Sequence, residues 1–294
     1  MTSVSGVMAE YGIIVAMDVA TRIAELIART SSSLPEDVEK ALKSALRREA
    51  RDGSAAVVLK TILDNCALAR RQRTPLCQDT GTLAFYIDER LRRKASPAVV
   101  KKAVVAATKG GFLRKNCIDS VTGFSYDDNC ADGAPVIHYV EATDGAPKVT
   151  LVMKGGGSEN MSRQYSLPDS ALGAGRDLAG VRKCVLDAVQ KTQGYGCAPG
   201  ILGVCIGGDR ATAYEVAKEQ LLRRLDDKSP TPALAKLERS LLKEANSLGI
   251  GPMGLGGATT LLGVKLASRP RVPASFFVTV AYMCWACRRG VLEL

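Results

Sequence analysis

Apolar residues recur every three or four positions over several stretches of the chain, which is the pattern of amphipathic helices. This spacing predicts helices at residues 36–49, 55–71, 97–109, 179–192, 210–225 and 232–247. Ser33-Leu34-Pro35-Glu36 has the form of a capping box and should open the first of them. Ser54 should open the second, and Ser96-Pro97 and Gly110-Gly111 should bound the third.

Shorter apolar runs rich in β-branched residues predict strands at 83–87, 135–141, 149–153, 201–206, 260–266 and 276–282. Thr143-Asp144-Gly145 is a hairpin signal between the second and third runs, so part of the sheet should be antiparallel. His138, the only histidine, should be a packed or surface residue of the second run. No repeat or linker divides the chain. We therefore expect one α+β domain over residues 1–294, mostly helical with short mixed or antiparallel sheets.

The charge of the chain is basic but dispersed. Forty Lys and Arg residues against thirty Asp and Glu give a formal net charge of +10. The basic residues lie in short scattered groups near acids, and aromatics are only 5%, too few for a base-stacking platform. Solvated helix faces and a partner surface fit this charge better than nucleic acid does.

No apolar run reaches the roughly 18 uncharged residues of a membrane helix. The apolar stretch near the N-terminus contains Glu10 and Asp18 and lacks the basic start of a secretion signal. We expect a cytoplasmic chain that contacts no membrane.

Nine cysteines in a reducing compartment are unlikely to form a disulfide framework, and an odd number cannot pair completely. Three lie inside apolar periodic segments and should be small buried residues: Cys66, Cys184 and Cys205. Cys77, Cys197 and Cys284 instead lie in or beside segments rich in Gly, Pro, Gln, Asp or Arg, where a thiolate could face a metal.

Four segments carry more Gly, Cys and polar residues than core packing explains: 75–81, 154–160, 196–203 and 282–289. Cys284-x-x-Cys287 could be half of a zinc site or a redox pair, but no second such pair accompanies it. Cys77, Cys197 and Cys284 are 120 and 87 residues apart, a spacing that suits a cluster at converging loops better than a compact finger. Three thiolates on a four-iron cluster would leave one iron open as a Lewis acid.

Five motifs follow one another in a fixed order along the chain. They are Cys-Gln-Asp-Thr-Gly, Lys-Gly-Gly-Gly-Ser-Glu-Asn, Cys-x-Pro-Gly-x-Leu-Gly-Val, Leu-Gly-Ile-Gly-Pro-x-Gly-Leu-Gly-Gly and Cys-Trp-Ala-x-Arg-Arg. In this order they resemble the alpha subunit of class I iron-sulfur fumarate hydratases and the related L-tartrate dehydratases, from about Ala16 to the end. The resemblance implies the fold of the iron-sulfur hydro-lyases. It also implies their activity, the reversible hydration of fumarate to malate.

The resemblance also implies site residues. Cys77, Cys197 and Cys284 stand at the family's positions for a 4Fe-4S cluster, whereas Cys287 falls where relatives vary. Gln78 would bind a substrate carboxylate or hydroxyl, and Asp79 would help proton transfer or orient the base. As an alternative, both could only hold the ligand loop by local hydrogen bonds.

The same resemblance implies that two further segments contact the substrate. Arg114 matches a family arginine that grips the dicarboxylate, for which a planar guanidinium is suited. Gly155, Gly156 and Gly157 would let the backbone approach the substrate.

One position departs from the family. Relatives have His-Pro about a dozen residues before the last cluster cysteine, and here the pair is Val272-Pro273. Three alternatives stay open: an L-tartrate dehydratase or other 2-hydroxy-dicarboxylate dehydratase, an iron-sulfur protein without activity, and a basic binding protein with structural cysteines.

Single-chain relatives continue into a second domain that completes the site, and nothing in this sequence resembles that domain. We therefore expect a beta subunit as partner, a heterotetramer with two copies of each chain, and a small dicarboxylate as substrate.

Overall fold

Eight helices and ten strands are present in residues 18–142 and 144–294, which the computed structural model describes. The helices are α1 (Val19–Ser32), α2 (Glu36–Arg48), α3 (Ser54–Gln72), α4 (Pro97–Lys109), α5 (Gly156–Asn160), α6 (Leu178–Thr192), α7 (Arg210–Gln220) and α8 (Pro232–Ser247). The strands are β1 (Thr82–Asp88), β2 (Cys117–Ile118), β3 (Ser125–Tyr126), β4 (Val136–Val140), β5 (Lys148–Lys154), β6 (Arg163–Ser166), β7 (Gly200–Gly207), β8 (Leu261–Arg269), β9 (Phe277–Met283) and β10 (Arg288–Glu293).

The first sheet has the order β10-β5-β1-β4. β1 is parallel to β4 and antiparallel to β5, and β5 is antiparallel to β10. Alternate residues of β1 and β5, such as Phe85 and Leu151, pack against apolar residues of α1 and α4. Tyr86 and Val152, which point the other way, enter the core shared with the second sheet.

The second sheet has the order β6-β9-β7-β8, with β7 parallel to β8 and antiparallel to β9. Every residue of β7 is buried, which explains its continuous apolar run. Residues of α6 and α8 pack on one face of this sheet, and residues of α2, α3 and α7 fill the core on the other. A separate two-stranded sheet, β2 and β3, lies between α4 and β4 in the chain.

The predicted α+β class with mixed sheets is confirmed, and most predicted elements are present. Cys66, Cys184 and Cys205 are buried as expected. His138 lies in β4, and its ring stacks on Tyr86 with 4.9 Å between the ring centroids. Strands β6 and β10 were not predicted from the sequence. Among the described residues, no helix combines the length and apolarity that a membrane span requires.

The predicted hairpin between residues 135–141 and 149–153 is wrong, and Thr143 of its turn lies outside the described residues. β4 and β5 are not neighbours, because β1 lies between them and pairs with both. β1 takes this central place because its apolar residues are buried on both faces, whereas every residue of β4 is only half-buried, as suits an edge strand. The antiparallel pairing that we expected is made by β1 and β5 instead.

The predicted capping box at Ser33 is wrong, whereas Ser54 is the first residue of α3 as predicted. Pro35 is the N-cap of α2 and no side chain caps it, since Ser33 already ends α1. Gly53 is the N-cap of α3, and the Ser54 hydroxyl donates to the carbonyl of Leu255.

Asp37 in α2 is a buried carboxylate that joins three parts of the fold. It pairs with the guanidinium of Arg289 in β10, and both side chains are less than a tenth exposed. Its Oδ2 also accepts the backbone N–H of Leu225 at 2.7 Å. α7 ends at Gln220 and not at Leu225 as the apolar spacing predicted, so Leu225 lies outside the helix and its N–H is free to bind Asp37.

Removing the Asp37 carboxylate should therefore destabilise the protein strongly. Asp37→Ala leaves the Arg289 guanidinium buried without its carboxylate partner, and such a loss costs about 3–5 kcal/mol of unfolding free energy. Urea unfolding of the purified chain measures the change. Glu36→Ala is the matched control, because Glu36 pairs with Lys40 on the exposed side of the same helix and should matter little. Equal losses in the two variants would contradict the role given to Asp37.

Candidate active site

The segment that contains Cys77 lies directly against the end of β5. Gly81 has φ +73°, and a Cβ there would be 2.3 Å from the Lys154 carbonyl oxygen. Only glycine permits both this conformation and this approach of two backbones. The backbone N–H of Asp79 points to Cys77 Sγ at 3.4 Å. The turn thus fixes a thiol and a carboxylate at the start of β1.

The glycine-rich segment 155–157 receives the Asp79 side chain. A Cβ on Gly155 would be 2.7 Å from Asp79 Oδ2, whereas a Cβ on Gly156 would be 3.9 Å away and one on Gly157 would meet nothing. Because Gly155 has no side chain, the Asp79 carboxylate can pack against its backbone. Gly156 and Gly157 begin α5 and are exposed.

The Cys197 turn packs on the aromatic ring of Tyr282. Cβ atoms on Gly196 and Gly200 would lie 2.4 and 2.3 Å from Tyr282 atoms, so both glycines are needed for the ring to fit. Cys197 itself has φ +51° and is exposed. Since Tyr282 is the second last residue of β9, this packing sets the Cys197 turn beside the strand that leads to Cys284.

The Cys284 segment is tied to the same turn and to the Cys77 segment. The Trp285 N–H donates to the Cys197 carbonyl at 3.2 Å. Arg288 Nη2 donates to the Asp79 carbonyl at 2.7 Å. The three segments that carry Cys77, Cys197 and Cys284 are thus joined by hydrogen bonds.

The three thiols also interact electrostatically. Partial burial raises the pKa of Cys197, and Cys77 and Asp79 raise it further. Burial raises the pKa of Cys284 to about 12, Arg288 opposes that rise, and Cys197 adds to it. Negative charge on neighbouring groups therefore disfavours the ionisation of Cys197 and Cys284, and a soft cation bound among the thiols would relieve this repulsion.

Arg114 is held by its backbone. Its N–H donates to Thr80 Oγ1 at 2.8 Å, and its carbonyl accepts from Asn129 Nδ2 at 2.8 Å. The exposed guanidinium reaches the Gln78 carbonyl at 3.3 Å. Thr80 and Asn129 were not predicted as site residues. Both are buried, and for Asn129 the sequence around it has no signal that would reveal these contacts.

Two cavities meet at Asp79. One of about 320 Å³ is lined by Gln78, Asp79, Arg114, Lys115 and Asn116. The other, about 460 Å³, is lined by Asp79, Gly156 and residues of the β2 region, including Asn116 and Cys117. The amide, carboxylate and guanidinium that the sequence singled out therefore share one cavity, which is large enough for a small dicarboxylate.

Two other predicted positions are set apart from these contacts. Cys287 is fully buried, and its sulfur accepts from Arg289 Nη1 at 3.4 Å. Val272 lies on the loop between β8 and β9 with 64% of its surface exposed. Within residues 18–142 and 144–294, no group of three His, Cys, Asp or Glu side chains is arranged around a single metal ion.

The chain is similar to a known family and to named proteins over most of its length. Residues 20–293 match the family model described as fumarate hydratase (Fumerase). A Geobacillus stearothermophilus protein assigned to class I fumarate hydratase is 47% identical over 90% of this chain and 52% of its own length. The chain thus spans about half the length of that relative.

Two further relatives are covered almost completely. A Methanocaldococcus jannaschii protein assigned as an L(+)-tartrate dehydratase subunit alpha is 33% identical over 95% of this chain and 98% of its own length. The L(+)-tartrate dehydratase subunit alpha of Escherichia coli K12 is 30% identical over 92% and 88% of the respective lengths.

The approach of Gly81 to Lys154 gives a test of the Cys77 turn. Gly81→Ala should destabilise the chain by about 1–3 kcal/mol beyond the cost of positive φ, because the Cβ overlaps a backbone oxygen. Gly111→Ala is the matched control, since Gly111 has φ +76° and open space around a Cβ. The melting temperature of each variant reports the difference. A Gly81→Ala protein as stable as Gly111→Ala would mean that the two backbones are not this close.

Proposed function

The chain belongs to the fumarate hydratase family, and we propose that it is the cluster-bearing alpha subunit of a two-subunit class I hydro-lyase that interconverts fumarate and malate. The observation that carries this proposal is the junction of the three cysteine segments beside the cavity that Gln78, Asp79 and Arg114 line. These are the residues that such a reaction needs: soft metal ligands next to groups that bind and deprotonate a hydroxy acid.

A 4Fe-4S cluster on Cys77, Cys197 and Cys284 fits the residues present. The thiols interact with one another, and Arg288 beside Cys284 has buried N–H groups without a protein partner. A cluster is larger than a single ion, so its ligands lie further apart than an ion's ligands do. All nine cysteines are free thiols, as a cluster site in the cytoplasm requires.

The cluster, when bound, supplies an open iron that polarises the C2 hydroxyl and its carboxylate. The chain itself supplies the remaining groups. Arg114 pairs with a substrate carboxylate through its planar guanidinium, and the Gln78 amide donates to a carboxylate or the hydroxyl. Asp79, held against Gly155, helps to move the C3 proton or orients the base that takes it. The exposed backbone of Gly156 and Gly157 lets the substrate come close, whereas the space at Gly155 is taken by the Asp79 carboxylate.

An L-tartrate dehydratase alpha subunit is the second candidate. The two relatives named as tartrate dehydratase alpha subunits match this chain over most of their length. Malate and L-tartrate differ by one hydroxyl group, and one or two contacts in the site are enough to discriminate between them. An assay of the reconstituted complex with the beta subunit on malate, L-tartrate and a methylated malate separates the candidates. A complex with an intact cluster and no turnover on any of them favours an iron-sulfur protein that lacks activity.

The partner is a beta subunit of the same enzyme, in a heterotetramer closed by two-fold symmetry. Two relatives of matching length carry the name of an alpha subunit. Exposed apolar side chains on and around the β2 and β3 hairpin support a contact there: Ile118, Val121 and Phe124. This hairpin adjoins the larger cavity, so a partner that covers it would close the site.

The ligand assignment is tested by two cysteine variants after anaerobic reconstitution with iron and sulfide. Cys77→Ser should abolish the absorbance near ~400 nm that thiolate-bound clusters show, because it removes a ligand. Cys287→Ser should keep the cluster, since that thiol is buried against Arg289. Iron and sulfide per chain are the quantities to measure. If both variants lose the cluster, or neither does, the ligand set is wrong.

The subunit proposal predicts that activity needs both chains. The 294-residue chain, expressed together with the beta subunit from the same genome, should copurify with it in equal amounts and hydrate fumarate. The reconstituted chain alone should hold its cluster and show at least 100-fold lower turnover, because general acid–base groups contribute about that much or more. Full turnover by the chain alone would contradict the two-subunit reading.

A further inference from the structure

Arg288 is the largest fully buried side chain of the described residues, with 1% of its surface exposed. It is the first residue of β10 and follows Cys284 by four positions. Its Nη2 donates to the Asp79 carbonyl at 2.7 Å, whereas Nε and Nη1 are buried and have no hydrogen-bond partner. Two of its three nitrogen atoms are therefore unpartnered within the described protein.

Such an arrangement is costly. A buried N–H without a partner costs about 1–3 kcal/mol, and more when the group is charged. The other buried cations near the site are balanced: Arg289 pairs with Asp37, and Lys154 pairs with Glu159 at 2.6 Å. Among the described residues, no ion pair includes Arg288. Its unpartnered N–H groups indicate a ligand that is not part of the polypeptide.

Arg288 is tied to both the first and the third cysteine segment. It follows Cys284 by four positions in the chain, and its Nη2 binds the carbonyl of Asp79, two positions after Cys77. The neighbouring Cys287 sulfur accepts from Arg289. Arg288 is therefore held between the segments of two of the proposed ligands.

We propose that Arg288 is a positioning residue for the cluster, whose Nε and Nη1 N–H groups donate to cluster sulfur atoms while its Nη2 holds the Cys77 segment through the Asp79 carbonyl. This inference rests on the proposed function. A four-iron cluster held by three thiolates is an anion, and its sulfur atoms accept hydrogen bonds. One side chain then balances the charge of the cluster and joins the first and third ligand segments.

The proposal makes a prediction about the reduction potential. Hydrogen bonds to cluster sulfur and nearby positive charge stabilise the reduced state, which is the more negative one. Arg288→Gln removes the positive charge and the guanidinium N–H groups. It should weaken the stabilisation of the reduced cluster at least tenfold, which lowers the reduction potential by about 59 mV for a one-electron couple. Arg288→Lys keeps the charge and should give an intermediate value.

The experiment uses the full chain, reconstituted anaerobically with iron and sulfide, and titrates the cluster by electron paramagnetic resonance. Arg176→Gln is the matched control, because it removes the same charge from an arginine that donates to the carbonyls of Leu167 and Ala274. Melting of the cluster-free chains shows which variants fold. If Arg288→Gln does not fold, the comparison is made with Arg288→Lys.

A lower potential, or loss of iron from a folded Arg288 variant with Arg176→Gln unchanged, supports the assignment. An unchanged iron content and potential in the folded Arg288 variant overturns it. A change in malate binding with an unchanged potential also overturns it, because the N–H groups would then belong to the substrate. Failure of the unmodified chain to bind iron refutes the proposed function and is a separate outcome.

Discussion

The passage of residues 284–287 from one sheet to the other is the constraint on which the site depends. β9 ends in the second sheet at Met283, and β10 begins in the first at Arg288, paired with β5. The crossing brings Cys284 beside the Cys197 turn, through the Trp285 N–H, and Arg288 beside the Cys77 turn, through the Asp79 carbonyl. If β10 lay elsewhere, Cys77 and Cys284 would belong to separate sheets with no common support. The ion pair between Asp37 and Arg289 then connects the start of β10 to α2.

Close backbone contacts make this junction tight. Gly81 lies on the end of β5, Gly155 leaves room for the Asp79 carboxylate, and Gly196 and Gly200 lie on the Tyr282 ring. In each case the site needs a side chain to be absent. Such glycines cost conformational entropy on folding, and the rigid neighbours they pack on keep the thiols and the carboxylate in one arrangement. A site built in this way depends on sheet geometry more than on loop mobility.

Charge gives the site its chemical character. Burial and neighbouring thiols disfavour the ionisation of Cys197 and Cys284, and the buried Arg288 guanidinium near them has two nitrogen atoms without a protein partner. Arg114 and Lys115 line the cavity in front. The basic composition thus places cationic side chains at the cavity beside the proposed cluster ligands, as the proposed dicarboxylate hydro-lyase would require. The family relationship and the proposed cluster agree with this arrangement.

The sequence alone determined the α+β class, most helix and strand positions, and the motif residues, because apolar spacing and glycine, cysteine and proline patterns are local signals. Gln78, Asp79 and Arg114 followed from the resemblance of the motifs to a known family, and they line one cavity. Only the tertiary structure decided that β1 separates β4 from β5, that Asp37 binds the N–H of Leu225, and that Thr80, Asn129 and Arg288 support the candidate site. These features depend on contacts between residues 15 to 209 positions apart, or on competition among strands for the central place in a sheet, and local patterns do not record them.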